Sequence, residues 1–142
     1  MKRKAKAQWR GPGADGAGVL HTTSGVLDGT PYSAYTRFKS EDGLAGTNPE
    51  ELIAAAHAGC FAMALSFRLS AAGFTADTLD VNATLTMEND GGWSIKSIHL
   101  DLKGSVPGVD AEQFAELAQA AKANCPVSKA LNCEITLSAE LV

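Results

Sequence analysis

The spacing of apolar residues switches between a period of two and a period near four along the chain, and each switch predicts an element. Residues 5–10 alternate weakly, with Ala5, Ala7 and Trp9 on one face, and predict a first strand. Residues 11–18 are rich in glycine with one proline and read as a turn or flexible loop. Residues 19–23 and 31–38 predict two further strands joined by a turn around Asp28-Gly29. In the second of these, Tyr32, Ala34, Thr36 and Phe38 are expected to point one way, and Ser33, Tyr35 and Arg37 the other. A polar loop over 39–46 then leads into residues 47–74, the stretch around which the chain is organised and which holds its longest apolar run, 52–67.

That stretch predicts a central helix. Asn48 suits the N-cap and Pro49 the first helical position, where a missing N–H costs nothing. Glu51 then falls in capping-box position, or Glu50 if Thr47 is the cap. Gly73 is the expected stop. Between these signals only His57 and Arg68 can carry charge, so the helix is apolar almost all round and is expected to be buried.

Downstream, Val81, Ala83, Leu85 and Met87 alternate through a strand, and Asn89-Asp90-Gly91-Gly92 predicts a hairpin. On the return strand Trp93 and Ile95 have one parity and Ile98, Leu100 and Leu102 the other, which predicts a β-bulge near Ser97. Asp110 with Gln113 predicts the start of a helix running to Asn124, with Phe114, Leu117, Ala118 and Ala121 as its apolar stripe. Cys125-Pro126 breaks it and starts a short helical turn. A last strand sets Ile135, Leu137, Ala139 and Leu141 inward, with Cys133 on the same parity as a small buried residue.

Composition narrows the reading only a little. A chain of 142 residues predicts one domain, able to bury roughly 70% of its unfolded surface. A net charge of −4 gives no electrostatic reason to expect nucleic acid. The apolar run over 52–67 is short for a membrane span and is interrupted by His57, Gly59 and Ser66. The basic start, Met1 to Lys4, lacks an apolar region after it, so no secretory signal is expected. Three cysteines without C-x-x-C make neither a disulfide framework nor a zinc ribbon. The expected setting is a reducing cytoplasm, with no metal and no membrane.

The chemistry concentrates on cysteine. A cysteine inside an apolar helix is ordinarily inert, because burial raises its pKa and suppresses the thiolate. Against that reading for Cys60, His57 lies three residues earlier on the same helical face, and Gly59 with its alanine neighbours leaves room beside the sulfur. Cys125, ahead of Pro126, would sit at a helix N-cap, where unpaired N–H groups favour a thiolate; equally, it could merely end one helix and begin another. His57 reads as a packed, hydrogen-bonded histidine rather than a base, and Arg68 as a side chain that snorkels or pairs.

Three segments, S-G-V-L-D-G-T-P-Y-S-A-Y-T-R-F over 24–38, T-N-P-E-E-L-I-A-A-A-H-A-G-C-F-A-M-A-L over 47–65 and N-C-P-V-S-K-A-L over 124–131, resemble the osmotically inducible protein C family. That family is related to the organic hydroperoxide resistance proteins. The resemblance covers essentially the whole chain, and its details lean to the osmotically induced branch. It implies an α+β, OsmC-like fold in which antiparallel sheets wrap a long buried central helix, assembled as an intertwined homodimer. It also implies a thiol peroxidase without a bound cofactor, reduced by an external thiol such as a lipoylated protein. By resemblance, Cys60 is the peroxidatic nucleophile, Cys125 the resolving thiol, Arg37 the activator and Glu50 its carboxylate partner. One departure is the loop over 39–46, a few residues longer than the family pattern.

The residue types suit that chemistry. Thiolate attack on a peroxide gives a sulfenic acid, and a permanent guanidinium favours both the thiolate and the developing oxyanion. Condensation with a second thiol protects the sulfenic acid from further oxidation. Apolar lining by alanine, phenylalanine and methionine would favour organic hydroperoxides. Ten residues separate Glu50 from Cys60, about 15 Å on an unbroken helix. Either the helix breaks near its start, or Arg37 and Glu50 reach Cys60 from a partner chain. The alternatives are a thiol–disulfide exchange protein using the same cysteines, or a non-catalytic binder of small ligands.

Overall fold

The computed structural model describes all of residues 1–142, which divide into two units, 1–52 and 53–142. In the first unit β1 (Ala5–Arg10), β2 (Ala17–Thr22) and β3 (Asp28–Ser33) form an antiparallel sheet in sequence order. Trp9, Gly18 and Tyr32 lie in one row across it, and the two rings meet at 5.4 Å between centroids. Gly18 makes that contact possible, since a Cβ there would run into the Gln8 carbonyl and the Tyr32 ring. The unit has little interior: of its residues only Gly16, Ala34 and Thr36 are buried.

The strand expected over 31–38 stops at Ser33 and becomes a short helix, α1 (Ala34–Phe38). Its alternation of aromatic and β-branched residues imitates a strand, but a reciprocal cap outweighs it. The Ser33 hydroxyl accepts from the Thr36 N–H at 3.1 Å, and the Thr36 hydroxyl accepts from the Ser33 N–H at 2.9 Å. The Thr36 hydroxyl also lies 3.0 Å from the Thr47 carbonyl, tying α1 to the segment that enters the next helix. Arg37 therefore projects from a helical turn, and its position follows from that cap rather than from strand parity.

The long helix α2 (Pro49–Ala71) is continuous and starts and stops as its sequence predicts. The Asn48 side-chain oxygen accepts from the Glu51 N–H at 2.8 Å, and the Glu51 carboxylate accepts from the Thr47 hydroxyl at 2.7 Å. At the other end Gly73 takes a positive φ of 88° while Phe74 N–H bonds the Leu69 carbonyl and Gly73 N–H that of Ser70. This is the Schellman arrangement of a glycine-terminated helix.

In the second unit β4 (Thr78–Asn89) and β5 (Trp93–Ser105) form the expected hairpin, and the expected bulge leaves Lys96 unpaired between Ile95 and Ser97. Asp110 caps α3 (Ala111–Asn124) through the Gln113 N–H at 2.8 Å, and α4 (Pro126–Ala130) follows. One pairing departs from an all-antiparallel arrangement: β6 (Glu134–Leu141) runs parallel to β5. The α3–α4 crossover causes this, because it returns the chain to the end at which β5 began. The core gathers Phe61, Leu65 and Leu69 from α2, Ile98, Leu100 and Leu102 from β5, and Phe114, Ala118 and Ala121 from α3. Phe114 packs so closely over Gly104 that a Cβ at that glycine would collide with the ring.

The fold is thus α+β, with two sheets and a long central helix. Within this chain the helix is buried along one stripe rather than all round. His57, Phe61, Leu65 and Leu69, spaced four apart, are buried. The opposite face presents Ala56, Gly59, Met63 and Phe67, with Met63 63% and Phe67 72% exposed. By length and composition α2 could cross a membrane, yet its buried row belongs to the core of the second unit.

Candidate active site

The four expected site residues form two pairs, each inside one unit. In the first, Arg37 leaves the last turn of α1 and meets Glu50 in the first turn of α2. Its Nη2 donates to Oε1 at 2.6 Å and its Nε to Oε2 at 3.1 Å, a two-pronged contact that fixes the guanidinium plane. The Phe38 ring lies 4.8 Å from the guanidinium carbon. Glu50 is also favoured by the N-terminus of the long helix, so its charge is well placed to hold the arginine.

In the second pair, Cys125 Sγ and Cys60 Sγ lie 3.0 Å apart, and in the neutral pair Cys125 donates to Cys60. Both are free thiols, and Cys125 is wholly buried. Their helices bring this about. Cys60 sits midway along α2, and Cys125 fills the N-cap position of α4, set there by Pro126.

The surroundings push the two thiols in opposite directions. Burial, a hydrogen bond to Cys125 and the charge on Cys125 push the Cys60 thiol up, against a smaller favourable contribution from the Val127 N–H. Burial also acts to raise Cys125. It is outweighed there by the hydrogen bond from Cys60, the Ser128 N–H and hydroxyl and the Val127 N–H, which together bring Cys125 below its ordinary value.

Sequence reasoning did not single out Ser128. Its hydroxyl touches Cys125 and also lies 2.8 Å from His57 Nε2. The signal was present as two equal spacings, H-x-x-C over 57–60 and C-x-x-S over 125–128. His57 and Cys60 share one face of α2, and Cys125 at the N-cap of α4 stands three residues before Ser128, so the contacts pair cysteine with cysteine and histidine with serine. His57 is fully buried, burial lowers its pKa, and its Nδ1 has no partner. Cys133 packs at the edge of the core, as its parity predicts. No three histidine, cysteine, aspartate or glutamate side chains converge to hold a metal ion.

Comparison with known proteins gives one consistent answer. Residues 40–140 match the family described as OsmC-like protein. The chain is 48% identical to the peroxiredoxin OsmC of Escherichia coli (strain K12), covering 99% of this chain and 97% of that one. It is 31% identical to the organic hydroperoxide resistance protein OhrB of Bacillus subtilis (strain 168), covering 88% and 89%. The crystal structure of Bacillus subtilis OhrB superimposes with a TM-score of 0.71 at 30% identity, over 98% of both chains.

Proposed function

This chain belongs to the OsmC-like family and is a cysteine-based peroxidase, and from that premise we propose that it reduces organic hydroperoxides to alcohols, and hydrogen peroxide more weakly, through Cys60 and Cys125. The observation that carries this reading is the 3.0 Å separation of the two sulfurs. A disulfide needs them only about 1 Å closer.

Cys60 thiolate attacks the terminal peroxide oxygen, the O–O bond breaks, and the alkoxide leaves as alcohol after taking a proton. Cys125 then displaces hydroxide from the Cys60 sulfenic acid, forming the disulfide before further oxidation can occur. An external thiol, of which a lipoylated protein is our choice, reduces the disulfide and restores both thiols. No bound cofactor is required.

Burial and Cys125 hold the Cys60 thiol up, so this nucleophile needs a cation. Arg37 supplies it in our reading, with Glu50 holding the fork so that one edge of the guanidinium can face sulfur and the developing oxyanion. The route is across a homodimer. Glu50 and Cys60 are ten residues apart on a continuous helix, about 15 Å, which supports the reading that the arginine reaches from a partner chain. The exposed Ala56, Gly59, Met63 and Phe67 face supports the same reading, because an apolar stripe of this kind calls for cover. A second copy would enclose the site with the apolar lining that favours alkyl peroxides. We read residues 1–142 as one domain, joined by the continuous α2, and the enzyme as cytoplasmic, where three unpaired cysteines persist as thiols.

One equivalent of tert-butyl hydroperoxide, followed by peroxide assay and mass-spectrometric disulfide mapping, tests the proposal. The expected product is a Cys60–Cys125 bond, with no peroxide loss by Cys60→Ser and overoxidised Cys60 in Cys125→Ser. Disulfide reductase activity without peroxide loss would mark an exchange protein instead.

A further inference from the structure

The short helix α4 has little of its own to hold it in place. It is five residues long, far below the length at which a helix is stable in isolation, and none of those residues is buried. Cys125 at its N-cap makes no side-chain cap bond. The Lys129 amine reaches the Asn124 side-chain oxygen at 3.4 Å, an exposed contact that only returns to the end of α3. The Ser128 hydroxyl reaches elsewhere. It lies 2.8 Å from Nε2 of His57, which α2 holds completely buried. The other imidazole nitrogen, Nδ1, is buried without a partner. A leucine would occupy the position without that defect, which costs about 1–3 kcal/mol. Packing therefore does not account for the imidazole, whereas its bond to α4 does.

We propose that His57 and Ser128 form a latch that seats α4 on α2 and so holds Cys125 where it can close a disulfide with Cys60. The inference rests on the reading of Cys125 as resolving thiol, and both latch residues are positioning residues. His57 stands three residues before Cys60 on α2, and Ser128 three residues after Cys125. The latch at 2.8 Å and the sulfur pair at 3.0 Å are thus neighbouring contacts between α2 and the first turn of α4. A single contact would leave so short a helix free to pivot about it, and a second fixes its direction. The dithiol then already holds the arrangement that the disulfide requires, so closing the last 1 Å or so costs little further ordering. Without the latch, α4 gains freedom in the reduced protein that the S–S bond must then remove. The role requires no proton transfer and no contact with peroxide.

A latch and a packing contact have different consequences. Loss of a packing residue lowers the stability of the fold. Loss of the latch lowers the preference for disulfide over dithiol in a protein that stays folded. His57→Leu separates the two, because it removes the latch and the unpartnered Nδ1 together.

The test is the equilibrium of the intact protein with graded mixtures of reduced and oxidised dithiothreitol. In that exchange the two cysteine thiols give two electrons and two protons to the cyclic disulfide of the reagent, and the Cys60–Cys125 bond forms as the reagent becomes a dithiol. The oxidised fraction is read by mass spectrometry after acid quench and alkylation, beside denaturant unfolding of the reduced protein. Ser128→Ala and His57→Leu are each expected to lower the equilibrium constant for disulfide formation about 10-fold, a shift of about 30 mV. His57→Leu is expected to unfold at no lower denaturant concentration than wild type, and Ser128→Ala decides the matter alone where His57→Leu does not fold. Ser128→Thr keeps the hydroxyl and is expected to hold the constant within about twofold of wild type. Constants within about twofold of wild type in Ser128→Ala and His57→Leu would overturn the latch, as would a fall in Ser128→Thr equal to that in Ser128→Ala. A wild-type protein that forms no Cys60–Cys125 bond at any reagent ratio would instead overturn the resolving role of Cys125, and the latch with it.

Discussion

The two units put opposite kinds of chemistry in opposite kinds of surroundings. Residues 1–52 hold a charged pair, Arg37 and Glu50, in a unit whose only buried residues are Gly16, Ala34 and Thr36. Residues 53–142 hold two uncharged thiols against a core assembled from two helices and a sheet. The difference teaches what each pair lacks. Within its own unit the sulfur pair has shelter, and burial there works against ionising Cys60. The charged pair has a fixed guanidinium but little shelter, with the Arg37 side chain 36% exposed. Exposed charges are screened and weak, and they become strong only where water is excluded.

The contrast breaks most sharply at the chemical step. Cys60→Ser is expected to abolish peroxide loss, and Arg37→Ala to lower it by about 10²–10³-fold, as removal of an oxyanion-stabilising donor does. Mixing and reassociating these two inactive variants should regain about a quarter of wild-type activity if Arg37 serves the partner's cysteine, since half of randomly paired dimers carry one complete site. No recovery on mixing would place the arginine with its own chain's cysteine.

Next in size come two phenylalanines on opposite faces of α2. Phe61→Ala should cost about 3–5 kcal/mol in denaturant unfolding, because it empties a fully enclosed site. Phe67→Ala should leave the fold intact and weaken self-association, read by sedimentation velocity at several concentrations. A similar folding penalty at both positions would erase the distinction between the two faces.

A smaller effect is expected where the first unit aims its charge. Ser33→Ala removes the cap of α1 and should cost about 1 kcal/mol, with a modest fall in peroxidase rate as Arg37 loses its anchor. The smallest is a pH effect confined to the second unit. His57 has a folded pKa below its ordinary 6.5, so its contribution to stability is fully present above 6.5 and is lost as pH falls through the folded value. Unfolding midpoints measured between pH 7 and 5 should show this decline in wild type and less of it in His57→Gln.

Local signals were legible wherever backbone chemistry is self-contained. The Asn48 and Asp110 caps, the Gly73 stop and the β5 bulge all follow from side chains within a few residues of the backbone groups they serve. Where one local signal competes with another, period misleads: the alternation over 31–38 hid the Ser33–Thr36 cap, and so the helical setting of Arg37. What depends on distant pairing was not visible. Nothing in the alternation of β6 states whether it runs with or against β5, because both directions place the same residues inward. Ser128 escaped notice for the same reason, since its meaning lies 71 residues away at His57.

The parallel docking of β6 has a consequence for the order of events during synthesis. Cys60 leaves the ribosome early, with α2, but α3 and α4 must fold back and β6 must find its place beside β5 before Cys125 is held against it. Such long-range closure is the slow part of folding. A chain lacking its last strand would keep both cysteines but lose the strand on which α3 rests, where Lys122 donates to the Ile135 carbonyl, so the seating of Cys125 is expected among the later events of maturation.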